Sequence, residues 1–590
     1  MKIRCLALAA MLAIAPAPAF TQGDRIDTLD QEARLGDIGE GEDIPSGEIL
    51  LSGEILPSDP GPRQSFLQLR SRFSTRTELP DGYRNGAYGG SPVRSYQRLR
   101  VSPSAAFSAG VLMEKDPGER RLDDFLAGHA VFRSGGFLRT VILGDYLVES
   151  GQGLSLWKGI DVGKGADIAA PVARKERGIV PYLSSGEDAF FRGGALAMAL
   201  GAWQFQAFVS RRSLDATREG EAVTGLGAGG VHRTASEEAK RGTVEERLIG
   251  ATLHARSAGG GQAGITLYRG SYSRPLRLGD GRRFDGDRIT LMSADYRLVE
   301  GPWILFGEWG YGNGAIAGSS GCVVRPSRGV DLVVAVRSYP YRFVSLHGNG
   351  LAARAGMSDE EGIYGAVRCS PGRRLSVTAY LEMYRFPGGG QKFASGGSER
   401  FLEVDAGPVD RCQVTLRYLM RESAAEMPSR DASGLFVSRS AVEIRRTFRV
   451  NVDYHGAAGV RFRARWELVQ FSPGDSPGIG RGVMVCSDLA GRAGASFRWN
   501  LRIALFRATS YDARLVAYEP DLDGVATMSA LYGEGVRWSC VLRWAVGRAM
   551  VFSGKYSLQS RDDVRRVGTG PERLPGNRDG RVSFQIDLGI

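Results

Sequence analysis

Cysteine, histidine and long apolar runs are all scarce in this chain. Of 590 residues, 6 are cysteine and 5 are histidine. Cys5 lies close to the N-terminus. Cys322, Cys369, Cys412, Cys486 and Cys540 stand singly, odd in number and without a CxxC pair. That spacing argues against a disulfide framework and against a thiolate zinc site. Cys412 and Cys540 fall on apolar strand faces, where a thiol behaves as a small hydrophobe. His129, His232, His254, His347 and His455 are far apart, and no catalytic set nominates itself around them. Folding could bring His232 near Asp or Ser residues of other strands, as in outer-membrane hydrolases. The run nearest to a membrane helix, 193–210, carries Gln204, Gln206 and glycines at 193, 194 and 201. No repeat of fixed period and no linker after residue 63 divides the chain into soluble domains.

What is present begins with MKIRCLALAAMLAIAPAPAF. Lys2 and Arg4 make a basic head, Leu6 to Ile14 an apolar core too short to span a bilayer, and Ala17-Pro18-Ala19 a small-residue cleavage site. This predicts a signal peptide over 1–19. Residues 20–63 are acidic and rich in Gly, Pro and Ser, with SGEIL at 46–50 and again at 52–56. They read as an extended periplasmic leader.

From 64 to 590 the pattern is one of hairpins. Val582, Phe584, Ile586, Leu588 and Ile590 alternate with Ser583, Gln585, Asp587 and Gly589, a side-chain period of two. Thr290 to Leu298, Leu375 to Met383, Cys412 to Tyr418 and Val536 to Val546 alternate in the same way. The clearest pair sets Phe448, Val450, Val452 and Tyr454, then Val460, Phe462, Ala464, Trp466 and Leu468, on one face. Arg445, Arg449, Arg461, Arg463 and Arg465 take the other, joined by Arg498 and Arg502 on the strand of Phe497, Trp499 and Leu501. Strands long enough to cross a bilayer at a tilt, with Trp and Tyr near their ends and arginine on the polar face, suit a wet lumen better than a dry core. The fold expected is an all-β, antiparallel transmembrane barrel. At roughly 20 residues per strand with its share of loop it has on the order of 22–28 strands. Longer loops are expected at 421–440 and 472–490, and 151–194 is either an external loop or one folded into the lumen.

Two catalytic-looking motifs are weak. GLGAGG at 225–230 lacks the strand–helix setting of a dinucleotide site. GDSPG at 474–478 places Pro477 after Ser476, which removes the N–H an oxyanion hole needs there.

The segment GDYLVESGQGLSLWKGIDVGK at 144–164 resembles one found in large outer-membrane barrels of Bacteroidetes and Chlorobi-type bacteria, often preceded by ComEA-like helix-hairpin-helix repeats. The likeness continues through EKDPGE at 114–119, RGIVPYLSSGEDAFFRGGAL at 177–196, VHRT at 231–234, FGEW at 306–309, DEEGIYG at 359–365 and YDARLVAYEPD at 511–521. It singles out Gly144, Asp145, Tyr146, Gly151, Gln152, Gly153, Trp157, His232 and Arg233. Residues 20–63 are too short for the repeats, so no DNA-handling role follows. The resemblance implies a barrel in the cell outer membrane and supplies no substrate.

Together these readings predict a channel or translocation component with a basic lumen, rather than an enzyme, and with no cofactor or metal. The alternative is a barrel that anchors or scaffolds a surface or secretion assembly, and after it an outer-membrane hydrolase. The partners expected are outer-membrane lipid, the barrel-assembly machinery and an anionic solute or polymer. The basic wall would be Arg445, Arg449, Arg461, Arg463, Arg465, Arg498 and Arg502, unless carboxylates such as Asp453 and Glu467 pair them.

Overall fold

The computed structural model describes residues 66–590, apart from 160–162, 228–229, 280, 355, 389–394, 431–435, 457–458 and 475–477. For 425–430 and 436–440 it describes the backbone alone. The predicted signal peptide and leader, Ser476 and Pro477, and part of GLGAGG lie outside the described residues.

Consecutive strands pair antiparallel from Leu67–Arg76 round to Arg578–Gly589, and these two then pair with each other. Leu69 faces Leu588 and Phe73 faces Phe584 in that seam. The result is a closed barrel of 24 strands. The short strands Gly178–Pro181, Ala216–Glu219 and Ala222–Leu226 join the sheet without forming part of the wall. Closure satisfies every edge, which lipid demands.

The alternation read from sequence is the wall's inside–outside pattern. Leu501, Ile503 and Leu505 are exposed, while Arg502, Ala504 and Phe506 between them are buried. Phe448, Tyr454, Phe462, Trp466, Leu542 and Trp544 are likewise exposed. Arg449, Asp453, Arg463, Arg465 and Glu467 are buried. Apolar side chains out and charged ones in is the inverse of a soluble protein, and it fits a lipid-facing wall. The run 193–210 is a hairpin of Phe191–Leu200 and Trp203–Leu214, turned at Gly201 with φ +57°.

Two expected loops are strands. Most of 421–440 belongs to Cys412–Arg430 and Phe436–His455, and 480–490 lies in Gly480–Ala493. Residues 421–440 lack an apolar alternation, whereas Val483, Val485 and Leu489 carry one on the exposed face with Met484, Cys486 and Asp488 buried between them, so that strand was there to be read.

The two ends differ. Leu67 and Ile590 exchange backbone hydrogen bonds at one end. There the connections are short, such as 201–202, 301–302 and 547–549. The opposite end carries 77–93, 150–190, 215–243, 340–359, 509–532 and 562–577. Short turns face the periplasm and long loops the exterior in such barrels.

Candidate functional site: loops folded into the lumen

Three of those long connections do not stay outside. The first departs at Gly144-Asp145-Tyr146. Wall pairing of Leu138–Glu149 with Phe125–Arg133 stops at Gly144, and with Phe191–Leu200 at Tyr146. Gly144 has φ +100°, and a Cβ there would lie 2.2 Å from the Gly128 carbonyl oxygen. Asp145 takes the Gly128 N–H at 2.8 Å, replacing the lost ladder bond, and pairs with Arg192 at 2.7 Å. The Tyr146 hydroxyl donates to the Val209 carbonyl at 2.7 Å. The last residues of the strand then pair with Gly178–Pro181, inside the wall.

The chain next turns at Gly151 and Gly153, both at positive φ. The turn aims successive N–H groups at one carboxylate, Glu308 of strand Trp303–Gly312. Gln152 N–H and Leu154 N–H reach Oε2 at 2.7 and 2.9 Å. Ser155 N–H and Oγ, and Ser293 Oγ, reach Oε1 at 3.1, 2.7 and 2.8 Å. This is an anion-binding nest whose anion is a wall side chain. Farther along, Lys164 pairs with Glu382, and Ile168 and Val172 pack on Phe306, Val333, Tyr364 and Phe401. Tyr182, Leu183 and Phe190 pack on Tyr96, Leu112 and Phe125. Segment 150–190 therefore crosses the lumen, which decides between the two readings left open for 151–194.

Segment 340–359 lies against it. Trp157 N–H donates to the His347 carbonyl at 2.7 Å, and Asn349 N–H to that of Gly153 at 2.8 Å. His347 Nε2 stands 3.0 Å from Glu246 on the wall. Glu360 accepts from Ala353 N–H at 2.9 Å and pairs with Arg337 at 2.5 Å.

Segment 509–532 enters from the other side. Its hairpin, Leu515–Glu519 with Thr527–Leu531, pairs only with itself. Leu515, Ala517 and Leu531 pack on Val469, Met484, Cys486, Ala504 and Phe506. Arg445 donates to the Asp512 and Arg514 carbonyls, Arg465 to Val516 at 3.0 Å, and Arg502 to Tyr518. Glu519 meets Arg537 at 2.5 Å and Lys555 at 2.7 Å.

The predicted arginines thus share the inner wall, and five of the seven, Arg449, Arg461, Arg463, Arg465 and Arg502, meet wall carboxylates. Asp453 meets Arg461 at 2.8 Å and Arg463 at 3.1 Å. Glu467 meets Arg449 at 2.9 Å and Arg465 at 2.8 Å, and Asp488 meets Arg502 at 2.6 Å. Arg498 stands opposite Arg543, whose guanidinium reaches Asp523 at 2.9 Å.

The resemblance residues collect at the in-folded loop and at the outer rim. Gln152 exchanges hydrogen bonds with the Arg174 backbone, and the Arg174 guanidinium lies 4.9 Å over the Trp157 ring. At the rim, His232 Nδ1 sits 2.6 Å from Asp124 and Nε2 2.8 Å from Asp215. Arg233 pairs with Glu237 at 3.0 Å and Glu572 at 2.5 Å. Burial would lower the His232 pKa, but hydrogen bonds to Asp124 and Asp215, and their charges, hold it up at about 10. Both ring nitrogens then carry protons aimed at carboxylates, so neither can act as a general base. Burial also pushes Glu119 up to about 7 and Glu187 up to about 9. Ser155 and Ser293 both give their hydroxyls to Glu308 and lie 3.0 Å from each other.

Sequence reasoning missed the wall acids that receive the loops: Glu246, Asp295, Glu308, Glu360 and Glu382. Each is a single acidic residue on an inward strand position. FGEW contains Glu308, DEEGIYG contains Glu360, and YDARLVAYEPD contains the first strand of the inner hairpin, Leu515–Glu519, so the signal lay in those short pieces.

This is an outer-membrane barrel. No family model and no curated protein sequence matches the chain. Among solved structures it is similar to the siderophore receptor PirA from Acinetobacter baumannii, at 7% identity and TM-score 0.44 over 89% of this chain and 81% of that one. It is also similar to the ferric enterobactin receptor PfeA from Pseudomonas aeruginosa, at 9% and 0.43 over 89% and 80%. The FrpB iron transporter from Neisseria meningitidis stands at 10% and 0.40 over 89% and 82%. The likeness is one of large barrels, and no residue is carried across from it.

Proposed function

We propose that the protein is a gated passage across the outer membrane, with its own external loops as the gate. The observation that carries this is the match between wall and loop: buried wall carboxylates and guanidiniums take their partners from in-folded loop atoms. Small barrels fill with their own side chains, whereas a barrel this wide leaves an interior for a channel or a plug. A scaffold gains nothing from so wide a lumen. The loops are held by apolar packing and by hydrogen bonds and ion pairs, and water can replace the polar part when a loop moves. The hairpin of 509–532 is the better moving part, since it pairs with no wall strand. Its withdrawal would bare Arg445, Arg465, Arg502, Arg537 and Lys555, so the open passage would favour an anionic solute. Transport and not catalysis is the role assigned, because His232 has no free nitrogen. The pieces shared with the large Bacteroidetes and Chlorobi-type barrels coincide with the in-folded loops, their wall acceptors and the rim, which supports grouping the chain with them.

Planar-bilayer recording tests the reading. Wild type should conduct little, and replacing 511–530 by a short Gly-Ser turn should open a large, steady channel. Equal conductance in both would favour the scaffold reading.

A further inference from the structure

Acidic side chains crowd around Gly151, where the in-folded segment meets the wall. Asp295 and Glu308 are direct cross-strand partners, both facing in and both buried. Like charges placed so are repulsive, and a dry site makes them more so. A Cβ on Gly151 would lie 3.0 Å from Asp295 Cβ and 2.7 Å from Glu308 Oε2, so the loop presses between them. Glu308 is occupied by the neutral donors described above. Asp295 faces a different group. His254 lies at the same level of the wall, with only Gly264 between them in register. Gly264 has no side chain, and the His254 ring lies across it, so that Nε2 stands 3.0 Å from Asp295 Oδ2. Glu176, from the in-folded segment, brings Oε2 to 3.4 Å from the same nitrogen. The same Oε2 accepts the Gly151 N–H at 2.8 Å, and the other oxygen meets Arg256 at 3.2 Å.

One N–H shared between two carboxylates binds each more weakly than its own donor would, and the site already holds one repulsive pair. The ligand atoms of Glu176, His254 and Asp295 all lie within 4.8 Å of one another. Thr252, on the same inward face two residues before His254, is 1% exposed and its hydroxyl has no hydrogen-bond partner among the described residues. We infer that His254 Nε2, Asp295 and Glu176 bind a divalent transition-metal cation that ties the in-folded segment to the wall. One imidazole with two carboxylates suits zinc or manganese, whereas calcium takes six or more oxygens. The rim group of Glu119, Asp124 and His232 is not equivalent, because both His232 nitrogens already meet carboxylates.

The test uses the full-length barrel in detergent, stripped with chelator and titrated with Zn²⁺ by calorimetry, with bound metal counted by mass spectrometry. One zinc per chain should bind. His254→Gln, Asp295→Asn and Glu176→Gln should each weaken binding at least about tenfold, and His232→Gln should not. Heat-shift on gels checks folding. If the wall variants misfold, Glu176→Gln, a loop change on an intact wall, decides alone. Failure of wild type to bind zinc stoichiometrically, binding unchanged in Glu176→Gln, or binding lost in His232→Gln would overturn the inference. Metal content does not depend on conduction, so it can fail while the gated-passage reading stands.

Discussion

The two halves of the lumen hold their loops with opposite chemistry. On the side filled by 150–190 and 340–359 the wall supplies acids: Glu308 takes loop N–H groups, Glu382 takes Lys164, and Glu246 faces His347. On the side filled by 509–532 the wall supplies bases: Arg445, Arg465 and Arg502 take loop carbonyls, and Arg537 and Lys555 take Glu519. The acid half is also tied by a strand, Gly178–Pro181, which pairs with Leu138–Glu149. Among the described residues the base half has no such tie. A loop that pairs with the wall is part of the fold, and one that pairs only with itself is a part the fold can release.

The largest test attacks the seam where the base half closes on the first strand. Deleting 582–590 removes most of the partners of Leu67–Arg76 and leaves an unpaired edge in lipid. Export should continue, with no heat-modifiable barrel in the outer membrane. Folded protein from this truncation would break the closure argument.

Next come substitutions that set the halves against each other. Glu308→Gln swaps a charged acceptor of several loop donors for an amide and should cost about 2–4 kcal/mol. It should also expose 150–190 to protease. Arg465→Gln should cost only about 1 kcal/mol, because Glu467 keeps Arg449. Denaturation midpoints in detergent measure both, and equal costs would erase the distinction. Leu501→Arg, on the lipid face, should cost about 2–4 kcal/mol if it lies near the midplane.

The smallest effect lies at the rim, outside both halves. The His232 pKa rises from 6.5 unfolded to about 10 folded. Its clamp on Asp124 and Asp215 is therefore at full strength below pH 6.5 and is lost as pH rises through about 10. Glu119 and Glu187, raised by burial, act in the same sense from pH 4.5 upward. Proteolysis of 215–243 should thus quicken between pH 6.5 and 10 in wild type. In His232→Gln it should be fast throughout, with most of the pH dependence gone. A flat wild-type profile would remove His232 as the clamp.

The outer face of the wall was legible because lipid imposes one rule on it: Phe448, Trp466, Leu501 and Leu542 must be apolar, and their neighbours need not be. The last strand, 582–590, was legible from the same period. The inner face obeys no single rule. Ile289, Leu291 and Phe306 point inward because loops cover them, and Glu308 points inward because a loop needs its charge. Segment 150–190 has no period, since each stretch of it fits a different patch of wall. The arginines were placed on the correct face, but their partners on 509–532 were out of reach, since pairing across a lumen leaves no mark at short spacing. His254, Asp295 and Glu176 meet only through barrel register and an in-folded loop, so their residue types alone could not nominate them.

The claim of two oppositely charged halves is tested most directly by reversal potentials across a salt gradient in two loop deletions. Removing 511–530 should bare the basic wall and give an anion-preferring channel. Removing 159–175 should bare Glu382 and its neighbours and give a cation-preferring one. Both preferences should fade at high salt as screening shortens the field. The same sign of selectivity in both deletions would contradict the account.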